Sequence, residues 1–298
     1  VQLFFDHCDH LCERTGVSDV HEEATVTAVK PGKNDKGFKV KTSSGTLKTA
    51  NVIVATGGSG LNQPSWASTL QRHGHQVYHL LDTNFSLEDH LRNETPRRFG
   101  IVGGGMTGVQ AAIRVAKAGG RTQLFARRRM NVNEFDAEPE YFESWKQESL
   151  RQNEYPQRIR ISHDVEHPGS VTSAVWKQWE DTEYYHHLKW VTDGVIGAVW
   201  NANDSAIDVQ LASGRTKQVD TLLLATGYSK NHLDAPLMSG MMEDLGLHSS
   251  RWGDYPLLRD DCSWMDGLYL SGPASLPVVG PFAANIRGAH IIADRIYS

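Results

Sequence analysis

The sequence predicts an α/β protein, and three observations predict it. The apolar run Phe99–Val102 ends in Gly103-Gly-Gly-Met-Thr-Gly108 and passes straight into an amphipathic stretch, Val109–Ala118. That is the strand–turn–helix order of a parallel sheet. Val52–Ala55 and Leu222–Ala225 are two further apolar runs of the kind buried on both faces of a sheet. Each comes after a polar hairpin pattern and each closes on Ala-Thr-Gly, about 170 residues apart.

Composition bounds the rest. At roughly 150 residues per domain, 298 residues suggest about two domains. The hydrophobic content of 39% excludes a disordered chain. A net charge of −5 argues against nucleic acid and acidic membranes as partners, while leaving room for a local basic pocket. No apolar run reaches the roughly 18 residues that span a bilayer. Cys8, Cys12 and Cys262 form no C-x-x-C, so a reducing, cytoplasmic setting is expected, with neither a disulfide framework nor a dithiol. The fourteen histidines are scattered, and His186-His187 lacks partner spacing, so no metal is expected. A small-molecule substrate is the expected partner, with the oligomeric state left open. The first residues, Val1-Gln-Leu-Phe-Phe, have no charged n-region and are not a signal peptide.

The elements run in order along the chain. Leu3, Phe4, Cys8, Leu11 and Cys12 fall at helical spacing over 1–15, with Gly16 as the stop. Short strands are expected at Thr25–Lys30, Gly37–Thr42 and Thr46–Lys48, separated by Gly-containing turns. Residues 61–96 read as a connecting segment. Thr122–Ala126 is a strand, and 131–190 reads as helices and long loops. Val191–Val199 and Ile207–Leu211 look like a hairpin, and Leu268–Leu270 is the last strand. A closing helix over 283–296 has Ala284, Ile286, Ala289, Ile292 and Ile296 as candidate buried positions.

Gly103-x-Gly105-x-x-Gly108 is the strongest chemical signal. Gly103 permits the tight turn, Gly105 lets a pyrophosphate approach the backbone, and Gly108 lets helix pack on strand. The helix start then offers N–H groups and partial positive charge to phosphates. A ligand-free glycine turn fits the same spacing. A nucleotide site for NAD places an acid at the end of the next strand. Here that strand ends at Ala126 and runs into Arg127-Arg128-Arg129. Guanidinium groups suit a phosphate dianion, which favours NADPH, although a solvated basic loop has the same composition.

The other candidates are less specific. The small residues Ala55, Thr56 and Gly57, and likewise Thr226 and Gly227, let backbone approach a ligand or another chain segment closely. Loop 278–282 and the start of the closing helix face a ring or phosphate, or simply cap that helix. Asp136 touches a cofactor or a domain contact, or is a solvated carboxylate. Trp176, Trp179, Tyr184 and Tyr185 line a pocket or fill the core. Gly-x-Ser-x-Gly, His-Glu-x-x-His and Lys-bearing phosphate loops are absent from the sequence, and catalytic residues stay unassigned.

Taken in order, Val-Ile-Val-Ala-Thr-Gly, Ile-Val-Gly-Gly-Gly-Met-Thr-Gly, Phe-Ala-Arg-Arg, Leu-Leu-Leu-Ala-Thr-Gly-Tyr and Leu-Tyr-Leu-Ser-Gly-Pro with Ala-Asn-Ile-Arg-Gly-Ala resemble the two-dinucleotide-domain flavoproteins. The resemblance is to NADPH-dependent flavin monooxygenases, including the lysine and ornithine N-hydroxylase branch, rather than to the disulfide-reductase branch. It implies a Rossmann-like NADPH domain inserted in an FAD-type domain: 1–93 and 227–298 of FAD type, 97–226 for NADPH. Gly103, Gly105, Met106, Thr107, Gly108, Arg127 and Arg128 are then the NADPH residues. Ala55, Thr56, Gly57, Thr226 and Gly227 mark the crossings, and Gly272, Pro273, Pro281, Asn285 and Gly288 lie by the flavin.

The resembling families open with a strand–glycine loop–helix unit for the ADP half of FAD, which this sequence lacks before Val1. The expectation is therefore an incomplete FAD-type domain, either part of a longer flavoprotein or one that no longer holds FAD tightly unless that unit is supplied. The expected activity is hydride transfer from NADPH to flavin, then oxygen activation and hydroxylation of a small substrate. A flavin dehydrogenase of the same architecture, and a non-catalytic NADPH-binding regulator without FAD, are the alternatives.

Overall fold

The computed structural model describes residues 2–33, 36–58, 60–93, 97–250 and 255–297. Asn34, Asp35 and Ser59 of the expected turns, and the side chains of Phe4 and Tyr185, lie outside the described residues. The chain forms two compact units: residues up to Val52 with Pro236–His248, and Ile53–Ala235 with Ser249–Ser298.

In the first unit the N-terminal helix spans Gln2–Thr15 and stops at Gly16, whose φ of +71° suits a residue without Cβ. Its apolar spacing marks a helix but not a buried face: Leu3 is 83% exposed and Cys8 and Cys12 are half-buried. Val26–Pro31, Phe38–Thr42 and Gly45–Thr49 form an antiparallel sheet in that order. The helix Pro236–Leu245 packs on its first strand, and Val29, Phe38, Met238 and Met241 are buried. Lys30 Nζ and Asp244 Oδ1 pair at 2.8 Å.

The second unit is built on a five-stranded parallel sheet, in the order Leu188–Thr192, Arg121–Ala126, Arg98–Val102, Thr221–Leu224, Val77–His79. Side chains alternate between its faces, as the period of two in a strand requires. Phe99, Ile101, Leu124 and Leu223 point to the helices Met106–Lys117 and Ser173–Tyr185, meeting Val109, Ala112, Val115 and Trp179. Val77, Phe125, Leu222 and Leu224 point the other way, to the helix Ser65–Arg72 and an antiparallel sheet of Val195–Asn201, Ala206–Leu211 and Thr216–Val219. The fold is thus mixed α/β with a central parallel sheet.

Four expectations are corrected. Residues 61–96 are not merely a connection: they hold a helix, Ser65–Arg72, an edge strand, Val77–His79, and a helix, Leu87–Asn93. The expected strand 191–199 is two elements broken at Asp193-Gly194. Leu188–Thr192 joins the parallel sheet, and only Val195–Asn201 forms the hairpin with Ala206–Leu211. The glycine-loop helix begins at Met106, three residues before Val109. The closing helix, Ile286–Tyr297, buries Gly288, Ile291 and Ile292, while Ala284, Ile286 and Ala289 are exposed and Ile296 is half-buried. Its buried face is set by the close approach of Gly288 to the Phe282 backbone.

Candidate functional site

The strand order reverses between Arg98–Val102 and Thr221–Leu224: from the first the chain builds outward through Arg121–Ala126 to Leu188–Thr192, and Thr221–Leu224 then joins on the opposite edge. At such a switch point the loops after the carboxyl ends diverge and leave a crevice. Here the crevice is a cleft of about 1210 Å³, lined by both loops.

Gly103 leaves the first strand with φ +125°, a conformation favoured by glycine, and a Cβ there would lie 2.2 Å from the Ala225 carbonyl oxygen. Its N–H donates to the Phe125 carbonyl at 3.0 Å, so three strand ends meet at one residue. Gly105 begins the helix with no side-chain cap, so the first-turn N–H groups are not claimed by a capping side chain. Gly103, Gly104, Gly105, Met106 and Thr107 all line the cleft. Gly108 does not. It is buried, and its role is packing, because a Cβ there would meet the Gly103 oxygen at 2.0 Å.

Arg127, Arg128 and Arg129 come directly after the next strand, are exposed, and line the same cleft. Among the described residues no carboxylate forms an ion pair with them. Lys230 adds a fourth cation to the lining, and Asp136, Glu166 and Asp193 are its acids. The Ser213 hydroxyl, with help from the Arg215 guanidinium, holds the Asp193 carboxyl below its usual range.

The two Ala-Thr-Gly turns are laced together through Gly60, Asn62 and Ser229, a few residues beyond each turn. Asn62 N–H donates to the Gly227 carbonyl at 2.9 Å, and Asn62 Nδ2 to the Thr226 carbonyl at 3.2 Å. The Thr226 hydroxyl donates to the Asn62 carbonyl at 2.5 Å, and Ser229 N–H to Gly60 at 2.9 Å. Asn62, Ala225, Thr226 and Gly227 are therefore one wall of the cleft.

The remaining predicted residues divide. Pro281 and Asn285 line the cleft. Asn285 Oδ1 also accepts from Arg287 N–H and Gly288 N–H, at 3.0 and 3.2 Å, and so caps the closing helix. Gly288 packs against backbone: a Cβ there would meet the Phe282 oxygen at 2.2 Å. Ala55, Thr56, Gly57, Gly272 and Pro273 are not in the cleft lining. They form a separate ledge of bare backbone, where Ser271 N–H donates to Val54 at 2.9 Å and Gly272 faces Gly57. Asp136 is a cleft residue; Trp179 is buried in the core, with Trp176 packed against it, and Tyr184 is 83% exposed.

Sequence reasoning missed Asn62, Trp66, Trp190, Lys230 and the turn His167–Ser170, all of which line the cleft. Pro168-Gly169 was a legible turn signal. Gly169 comes within 3.3 Å of a Cβ placed on Gly105. The others carry no local signature, because sheet order alone brings them together.

A doubly wound sheet with a glycine loop and a basic strand end at its switch point defines a nucleotide-binding oxidoreductase fold. The chain belongs to the family described as pyridine nucleotide-disulphide oxidoreductase, whose profile matches residues 7–167. No curated protein sequence matches it. Solved structures that share the fold include three monooxygenases. Over 92% of this chain and 68% of the other, it superposes on DfoA bound to FAD, a cadaverine monooxygenase of the desferrioxamine pathway of Erwinia amylovora, with TM-score 0.72 and 14% identity. The ornithine hydroxylase PvdA of Pseudomonas aeruginosa gives 0.69 and 17%, over 91% and 70%. L-lysine 6-monooxygenase of Pseudomonas syringae gives 0.61 and 17%, over 92% and 71%. At these identities the likeness is one of fold.

Proposed function

We propose that this chain works as an FAD- and NADPH-dependent monooxygenase on a small amine, with 97–226 as the NADPH-binding domain. One observation carries the reading: the glycine loop, the uncapped helix start and Arg127–Arg129 line a single cleft at the switch point. The donor set fits NADPH. A Cβ at Gly103 would close on Ala225, and the backbone N–H groups and guanidinium forks match a pyrophosphate and a 2′-phosphate. The ledge of Gly57 and Gly272 suits the close approach of a flat ring, and the three monooxygenases of the same fold support flavin and an amine substrate.

When bound, the two cofactors supply hydride transfer and oxygen activation; the protein supplies binding, orientation and exclusion of water. The residues from Gly103 to Thr107 hold the pyrophosphate, and Arg127 and Arg128 select the 2′-phosphate. Asn62, Thr226 and Gly227 form the wall that orients the rest of the dinucleotide.

The test is an absorbance spectrum of the FAD-supplemented protein, followed by anaerobic NADPH titration and then air with cadaverine, ornithine or lysine. Bleaching by NADPH in preference to NADH, then hydroxylamine formation, is expected. No NADPH binding overturns the cleft assignment. Bleaching without hydroxylamine identifies a dehydrogenase.

A further inference from the structure

Behind the wall of the cleft lies a buried histidine that neither the sequence motifs nor the proposed reaction assigns. His79 ends the edge strand Val77–His79 and is 1% exposed. Leu81 N–H donates to its Nδ1 at 3.2 Å, so Nδ1 is the acceptor and the ring proton sits on Nε2. Nε2 lies 3.2 Å from the Thr226 hydroxyl oxygen. That hydroxyl has committed its own proton to the Asn62 carbonyl, so it accepts from His79. The Gly227 carbonyl is a further backbone acceptor beside the ring. A relay thus runs from Leu81 N–H through the imidazole to Thr226 and on to Asn62, and every member has one permitted direction.

We infer that His79 is a positioning residue of the cleft: neutral, with its proton on Nε2, it holds the Thr226 hydroxyl in the wall that lines the dinucleotide site. The inference rests on the cleft binding NADPH. Protonation places a second N–H against Leu81 N–H, two donors head to head in a buried site, and breaks the relay at its first link. Burial holds the His79 pKa below the ordinary 6.5, outweighing Asp82 and the Gly227 carbonyl, which favour the cation. Among the described residues Asp82 is the charged group whose field reaches the ring; the strand Thr221–Leu224 and residues 61–63 place no other there. The relay is therefore intact at neutral pH and opens on acidification.

The experiment compares wild type with His79→Gln, His79→Leu and Thr226→Val. The glutamine amide keeps a donor near the Nε2 position and does not titrate. H79L and T226V each lower NADPH affinity about tenfold at pH 8, the size of one lost buried hydrogen bond, and H79Q restores it to within about threefold. The NADPH phosphate itself titrates at about 6. That limb persists in H79Q, so the signal is the extra acid-side loss of affinity in wild type. Equal affinities and equal pH profiles in wild type, H79L and H79Q overturn the proposal.

A ligand-free measurement keeps the two readings separate. In nitrogen-15 histidine spectra, the resonance lost in H79Q should show an unprotonated Nδ1 and titrate below 6.5. A proton on Nδ1, or titration at or above 6.5, overturns the relay. Failure of wild type to bind NADPH, with the relay intact in the spectra, overturns the cleft reading instead. Should H79L not fold, H79Q and T226V carry the comparison.

Discussion

A Cβ on Gly108 would lie 2.0 Å from the carbonyl oxygen of Gly103. The third glycine of the loop is thus held by the backbone of the first, and the obstacle is main chain, which has little room to move. Gly108→Ala should therefore push the helix Met106–Lys117 off the strand and cost about 1–3 kcal/mol, as overpacking does. Thermal unfolding should fall by several degrees, with NADPH affinity falling too. An unchanged melting temperature would contradict the packing role.

Arg127 and Arg128 stand in the cleft without an ion-pair partner among the described residues. If they take the 2′-phosphate, R127A and R128A should each cost NADPH affinity about tenfold or more, the worth of a charge-assisted hydrogen bond, and leave NADH affinity nearly unchanged. Binding isotherms for both cofactors check this. Equal losses for NADPH and NADH would move the arginines away from the phosphate.

Arg98 and Asp220 tie the amino ends of the two central strands, far along the strands from the cleft. Arg98 Nη2 meets Asp220 Oδ1 at 2.5 Å, and Arg98 N–H donates to Oδ2 at 2.8 Å. Burial pushes the Asp220 pKa up, but the Arg98 hydrogen bonds and charge outweigh it and leave the carboxyl below 3.8. A depressed carboxyl lends stability that is full above 3.8 and lost as pH falls through its folded value. D220N should lower stability at pH 7 by about 1 kcal/mol or less, since the pair is partly exposed. Its melting curve should converge on wild type as pH falls through the folded value of Asp220, below 3.8.

Much of this was legible because it is local. Gly103, Gly105 and Gly108 announce a strand–turn–helix, and Arg127–Arg129 announce the character of the next strand end. The strand Val77–His79 was not legible: three residues inside a polar stretch carry too little periodicity, and their burial comes from Leu222–Leu224 far along the chain. Val191 and Val195 looked like parts of one run until Asp193-Gly194 is seen to turn the chain from one sheet to another. The buried face of the last helix was misjudged for a related reason. Apolar spacing favoured Ile286, whereas backbone packing at Gly288 fixed the phase.

Cys262 supplies a chemical check on burial. It is fully buried, and burial pushes its thiol up to about 11, so little thiolate forms at neutral pH. Alkylation of the native protein should label Cys8 and Cys12 and reach Cys262 only after unfolding, as peptide mass mapping would show. Early labelling of Cys262 would contradict its placement in the core.

The lacing of Asn62 to Thr226 and Gly227 spans 164 residues. Closing a loop of that length on its own costs about 4–5 kcal/mol of chain entropy. The seam avoids most of that cost, since parallel pairing of Leu224 with His79 already brings the two ends side by side. The seam is therefore expected to close after the sheet has assembled, a hypothesis that refolding followed by pulse-labelled hydrogen exchange at Asn62 N–H would test. If the cleft binds NADPH as proposed, cofactor capture should then report on completion of the fold rather than on its first steps.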